Sequence, residues 1–323
     1  MSQPVLEGAD WPLFGWSDDI RPALAAAFSA GRPTVLATLY KVAGSAPRGP
    51  GAQMLFDGNR ASGYFSGDCI EGDVAGHAAE VLADGQPRRL HYGMGSPWID
   101  IRLRCGGALH VLAERIAPDS GAARELLEHM QARRQCAWSS DGIDQRVTLG
   151  GGPLLSMDGT RIARRFDPPR RLVVSGGDPG ALALASLARQ ANFETILVRP
   201  DGPEMPPPFP VSHYSRTSVV AALEALGVDP WTSFIGATHE DHHDLAACLH
   251  ALRAGAAWVG MIGAKSRAGG RLDALEAAGA TAQELARLHL SPGIAGLGKA
   301  PFEVATGILG AIMQAMNPAL ERA

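Results

Sequence analysis

Four short segments carry residue types whose spacing could do chemistry. The first is a pair of glycine loops. Gly44-Ser45-Ala46-Pro47-Arg48-Gly49-Pro50-Gly51 presents an arginine, and Gly67-Asp68-Cys69-Ile70-Glu71 presents a thiol and two acids. Glycine lets the backbone approach a ligand closely and leaves N–H groups for anions. Arg48 suits a phosphate. Cys69 sits directly ahead of a predicted helix, where the positive helix end favours a thiolate. The plainer alternative makes Cys69 a small buried hydrophobe and the glycines mere turn residues.

The second segment is Ser175-Gly176-Gly177-Asp178-Pro179-Gly180, between a predicted strand and a predicted helix. That context suits a phosphate-cradling turn, with Gly177 allowing close backbone approach and Gly180 close helix packing. Serine stands where the G-x-G-x-x-G pattern wants its first glycine. Arg199 stands at the end of the next strand, where an acid would bind ribose hydroxyls. A guanidinium only donates, so Arg199 would suit a 2′-phosphate, and NADP is the dinucleotide expected over NAD. A fold of this kind without a dinucleotide is the competing reading.

The third segment, Thr238 to Asp244, packs three histidines and three acids into seven residues. His239 and His243 have the i, i+4 spacing of two ligands on one helix face. The competing reading is a strand-end turn whose acids cap the next helix. No partner ligands are recognisable elsewhere, so no metal is assigned. The fourth segment, Gly260 to Arg267, places Lys265 and Arg267 on a glycine turn at a strand end, where they could hold an anion. Arg48, Lys265 and Arg267 are together expected to grip the anionic end of a ligand.

Positioning these residues requires two domains. The first half reads as a mixture: a helix over 17–30 capped by Ser17, a strand over 34–42, and a hairpin turning at Asp57-Gly58. A helix over 71–82 follows, stopped by Gly85, then a strand-like segment over 86–115 and a helix over 119–135. Short strands near Val147 and Leu154 complete this half. The stretch Arg161 to Arg171 is basic, contains Pro168-Pro169, and reads as a solvated inter-domain segment. Beyond it, strands at 171–174, 194–198, 231–235 and 257–261 alternate with helices at 179–190, 241–254, 268–278 and 301–315. That rhythm argues for a parallel, doubly wound sheet. The fold class is therefore α/β: a mixed α/β domain over 1–160 and a Rossmann-like parallel-sheet domain over 161–323.

Taken in order, the segments resemble the XdhC/CoxI family of molybdenum-hydroxylase accessory proteins. The likeness runs through Gly44 to Glu71, the turn at 171–180, Thr238-His239, Ile262-Gly263-x-x-Ser266-Arg267, and the segment Arg287 to Ala305. It implies a cofactor chaperone rather than a catalyst. Such a protein binds the molybdenum cofactor (molybdopterin), protects it while a cysteine desulfurase supplies its sulfido ligand, and delivers it to a xanthine-dehydrogenase-like apo-enzyme. Arg48, Gly67, Cys69, Glu71, Gly177, Gly180, His239, Lys265 and Arg267 become the cofactor-binding candidates. The resemblance implies that Cys69 corresponds to the family's cysteine near the cofactor. Asp68, Ser175 and Arg199 depart from the family pattern, at positions where a glycine, a glycine and an acid are usual. An NAD(P)-dependent oxidoreductase with His239 as proton donor is the alternative.

Composition narrows the setting. With 323 residues and a formal net charge of -4, nothing resembles a basic surface for nucleic acid. No apolar run approaches the ~20 residues of a membrane span. The first 20 residues contain no Lys or Arg, so no secretory signal is expected there. Cys69, Cys105, Cys136 and Cys248 form no C-x-x-C pair, which fits a reducing cytoplasm. A homodimer is the expected assembly.

Overall fold

The computed structural model describes residues 17–96, 103 and 106–317. Cys105, the central part of the strand-like segment over 86–115 and most of the first 20 residues lie outside them. The chain forms two compact units, Met1–Pro168 and Pro169–Ala323.

The first unit holds two antiparallel sheets. Strands β1 (Thr34–Ala43), β2 (Gln53–Phe56), β3 (Ala61–Ser62), β4 (Arg88–Gly93) and β5 (Ala108–Ile116) pair in the order β3-β2-β1-β5-β4. Helix α1 (Arg21–Ser29) is shorter than expected, and Ser17 does not cap it. Pro22 sits in the first helical turn, where its missing N–H is not needed, and Ile20 stands at the N-cap, so the helix begins at Arg21. Helix α2 (Glu71–Asp84) buries Val74, Ala75, Ala78 and Val81, whose three- and four-residue spacing forms one apolar stripe. Gly85, left-handed at φ 73°, ends it as expected. That stripe shares a core with Val35, Ala37 and Leu39 of β1 and with Leu109 and Val111 of β5.

Helix α3 (Gly121–Gln131) precedes the second sheet, whose strands β6 (Cys136–Ser140), β7 (Gln145–Leu149), β8 (Leu155–Asp158) and β9 (Arg161–Phe166) pair in the order β7-β6-β9-β8. Strand β9 occupies much of the segment expected to be a solvated linker. Ile162 and Phe166 are buried, while Arg161 pairs with Asp141 and Asp144. Ile162 and Phe166, four residues apart, lie on one buried face of the strand, and the ion pairs satisfy Arg161. The first unit therefore extends through Pro168 rather than ending at 160.

The second unit is a six-stranded parallel sheet. It contains β10 (Arg171–Gly176), β11 (Glu194–Val198), β12 (His213–Ser215), β13 (Thr232–Ala237), β14 (Trp258–Met261) and β15 (Leu288–Leu290), in the order β12-β11-β10-β13-β14-β15. Every pairing in it is parallel. Helices α4 (Pro179–Gln190), α5 (Val219–Leu226), α6 (Asp241–Arg253), α7 (Ala268–Ala277), α8 (Ala282–Leu285) and α9 (Pro301–Ala315) connect or follow the strands. Strands β10, β13 and β14 are buried along their whole length, as a sheet covered on both faces requires. Strand order reverses between β10 and β13, and the crevice outside such a reversal is where ligands bind in open α/β sheets.

Candidate functional site

In the first unit the turn ahead of α2 is organised around one carboxylate. Glu71 is buried, and its side chain accepts hydrogen bonds from the backbone N–H groups of Phe65 (2.9 Å), Ser66 (2.7 Å), Gly67 (3.2 Å), Asp68 (2.8 Å) and Ile70 (3.2 Å). The Ser66 hydroxyl adds a sixth bond at 2.6 Å and itself accepts from the N–H groups of Cys69 and Ile70. Burial alone would raise the Glu71 pKa. The Ser66 and Phe65 hydrogen bonds outweigh it and hold the carboxyl below its ordinary range. The N–H groups expected to await an external anion are therefore taken by the chain's own acid. Gly67 has φ 77°, which the turn needs, and a Cβ there would meet no atom within 4 Å.

Cys69 is half-buried against the core beneath α2. Cys136 and Cys248 are fully buried, and burial pushes both of their thiols up. Arg48 is already engaged: its guanidinium lies 2.5 Å from the Asp18 carboxylate, 3.4 Å from the Tyr64 hydroxyl and over the Tyr64 ring. Asp68 stands at φ 89°, a conformation that suits glycine and strains a residue with a Cβ. This explains why glycine is the expected residue there.

The second unit's turn differs from the sequence expectation by one register. Ser175 belongs to strand β10, buried, with its hydroxyl 3.4 Å from the Asp244 carboxylate. The tight turn starts at Gly176, whose φ is 137° and where a Cβ would lie 2.2 Å from the Ala237 carbonyl oxygen. Asp178 caps α4, accepting from Ala181 N–H at 2.6 Å. Its other oxygen lies 2.6 Å from His239 Nε2. This contact spans the reversal between β10 and β13. Gly180 is not needed for close packing, since a Cβ there would meet only the Asp178 carboxylate, at 3.4 Å. A Cβ at Gly177 would lie 2.2 Å from the guanidinium carbon of Arg199, the movable end of a long side chain.

His239 has φ 65° and precedes α6, so it does not share a helix face with His243. The side chains that do converge are Glu240, His242 and His243, all exposed, with ligand atoms within 4.8 Å of one another. Lys265 and Arg267 lie exposed in a single 3-10 turn ahead of α7, and Arg267 approaches Asp241 only at 3.8 Å. The buried cation nearby is Arg271, which bonds both Asp241 and the Ile262 carbonyl. Buried Asp244 accepts from Thr238 N–H, and burial pushes its carboxyl up despite that bond. Asp178, Arg271 and Asp244 were not read from the sequence as organisers. The signal for Asp178 and Asp244 was an acid near a helix start, and Arg271 carried none.

Residues 27–93 match the model of the XdhC and CoxI family, and residues 172–312 match that of the XdhC Rossmann domain. The chain belongs to the XdhC/CoxI family. The molybdenum cofactor insertion chaperone PaoD of Escherichia coli K12 is 32% identical over 186 residues, covering 55% of this chain and 58% of that protein. The chain thus spans little more than half of that relative's length. A Bacillus subtilis 168 protein named as a probable xanthine dehydrogenase subunit is 24% identical over 276 residues, covering 72% of this chain and 80% of that one. A crystal structure of a xanthine dehydrogenase from Bacillus halodurans shares the fold with a TM-score of 0.70 at 20% identity. It covers 94% of this chain and 96% of that one. The mixed α/β first half and Rossmann-like second half expected for an XdhC/CoxI chain are both present. Among the described residues no helix is long and apolar enough to cross a membrane.

Proposed function

We propose that this chain is an accessory protein that binds the molybdenum cofactor, protects it during sulfuration and passes it to a xanthine-dehydrogenase-like apo-enzyme. The observation that carries the reading is Cys69. In a chain of this family, it sits half-exposed on a turn that Glu71 clamps through six hydrogen bonds. A soft sulfur ligand on a rigid turn suits a metal-bearing, sulfur-rich ligand. Here the residues do not catalyse: they hold and shield. A cysteine desulfurase would be the sulfur donor, and a homodimer in the cytoplasm is the expected working form.

Purifying the protein from cells that make the cofactor, and identifying the bound molecule by mass spectrometry, tests this reading. Cys69→Ala is expected to fold normally and lose cofactor retention. Full retention by that variant would remove Cys69 from the site. Alkylation of native protein should label Cys69 well before the buried Cys136 and Cys248.

The oxidoreductase alternative has one observation in its favour, the His239–Asp178 pair at the strand-order reversal. Against it, Asp178 occupies the α4 N-terminus that a dinucleotide pyrophosphate would need. Substrate-linked turnover of NADH or NADPH would promote it.

A further inference from the structure

Two arginines stand side by side at the carboxyl edge of the second unit's sheet. Strands β11 and β12 are adjacent and parallel, with Val198 opposite Ser215. Arg199 and Arg216 follow these two residues directly, and the Arg199 N–H bonds the Ser215 carbonyl at 2.8 Å. Among the described residues neither guanidinium has an ion-pair or hydrogen-bond partner, whereas Arg171 and Arg271 in the same unit are tied to carboxylates. Two hydroxyls accompany them, Ser215 Oγ and Thr217 Oγ1, 2.8 Å apart. Helix α5 begins three residues beyond Arg216, capped by Ser218, so its positive end adjoins the same strand ends.

The neighbouring glycine turn adds little anion grip of its own. Its helix N-terminus is answered by Asp178, and Pro179 has no N–H to offer. A pyrophosphate would meet a carboxylate there. Arg199 lies against Gly177, on the side where the residue after the second strand faces the 2′ position of a ribose in such folds.

We infer that the second unit recognises a phosphate monoester dianion, gripped by Arg199 and Arg216 at the carboxyl ends of β11 and β12. Two guanidiniums match the charge and the multiple acceptor oxygens of a monoester better than the single charge per group of a diester backbone. The monoester could be the 2′-phosphate of an NADP-type nucleotide or the terminal phosphate of a pterin. The inference goes beyond the cofactor-handling reading and does not rest on it. A protein that retains molybdopterin through Cys69 alone would satisfy that reading and fail this one.

Fluorescence titration of the intact protein separates the sources. One arm compares NADPH with NADH. The other compares the stable oxidised pterin of the cofactor before and after phosphatase treatment. In at least one arm the phosphorylated member should bind about ten- to a hundredfold more tightly, the usual effect of a charge-assisted contact. Arg199→Ala and Arg216→Ala, both at positions outside the core, should each erase that preference with unchanged thermal unfolding. Binding should also weaken below pH ~6 as the monoester takes up its second proton. Equal affinity within both pairs, or a preference that survives the double variant R199A/R216A, would overturn the inference.

Discussion

The glycine turns of the two units solve the same problem to different depths. Each brings backbone N–H groups together ahead of a helix, and each answers them with a carboxylate from the chain itself. In the first unit Glu71 is buried and takes five N–H groups and a hydroxyl. In the second, Asp178 is part-exposed and takes one N–H group and a histidine. The first is a scaffold, since no external anion can displace an acid so enclosed without dismantling the turn. The second is a latch with few bonds to lose. Similar glycine patterns thus serve rigidity in one place and exchangeability in the other.

The largest expected effect comes from breaking the scaffold. Glu71→Ala leaves several N–H groups without their acceptor and should destabilise the first unit by on the order of 3 kcal/mol, read by denaturant unfolding. A loss below about 1 kcal/mol would mean that water replaces the carboxylate easily and that the turn is not rigid.

The pH dependence sharpens the same point. The folded Glu71 carboxyl sits below its ordinary range, so its contribution is complete above the unfolded value of about 4.3 and is lost as pH falls through the lower folded value. The stability gap between the wild type and Glu71→Gln should therefore be widest near neutrality and narrow below about pH 4. A gap independent of pH would assign the effect to packing instead of charge.

Opening the latch should have a smaller effect. Asp178→Ala removes the α4 cap and should lower stability by about 0.5–2 kcal/mol. It also frees His239 and the helix N-terminus, so dinucleotide binding should strengthen when titrated against NADPH. Unchanged or weaker binding would show that Asp178 does not obstruct the turn.

The smallest effect is expected at Asp68, where a Cβ is held at φ 89°. Asp68→Gly should relieve that strain and raise stability by up to about 1 kcal/mol in thermal unfolding. Destabilisation would indicate that the Asp68 side chain contributes more than its backbone strain takes away.

Much of the molecule was legible in the residue order. Helix α4 and strand β11 fall where their apolar patterns place them, and α2 differs from its expected span only at the far end. Strand β9 reads as a solvated segment because three of its six residues are arginines. Partners turn that charge into strand surface: Asp141 and Asp144 for Arg161, the Gly51 carbonyl for Arg164 and Asp167 for Arg165, and all but the last lie too far along the chain for a local pattern to show. Strands β12 and β15, three residues each, are too short to carry a period of their own and exist by pairing with β11 and β14.

The candidate site shows the same division. Residue types and their spacing determined that glycine turns carrying Cys69, Glu71, Gly177 and His239 stand at strand–helix junctions, because turn chemistry and periodicity are local properties. Which N–H groups remain available was not a local property. Glu71 folds back onto the six residues before it, whereas Asp178 reaches across a strand-order reversal to a histidine 61 positions away, a distance that exists only once the sheet has formed. Arg48 behaves likewise. In sequence it is a cation on an open loop, and in the fold it is committed to Asp18 and Tyr64. Arg199 and Arg216, seventeen positions apart in the chain, become neighbours only because parallel pairing sets Val198 beside Ser215. Hydrogen-bond satisfaction is a demand of the whole folded chain, and only tertiary structure decides how it is met.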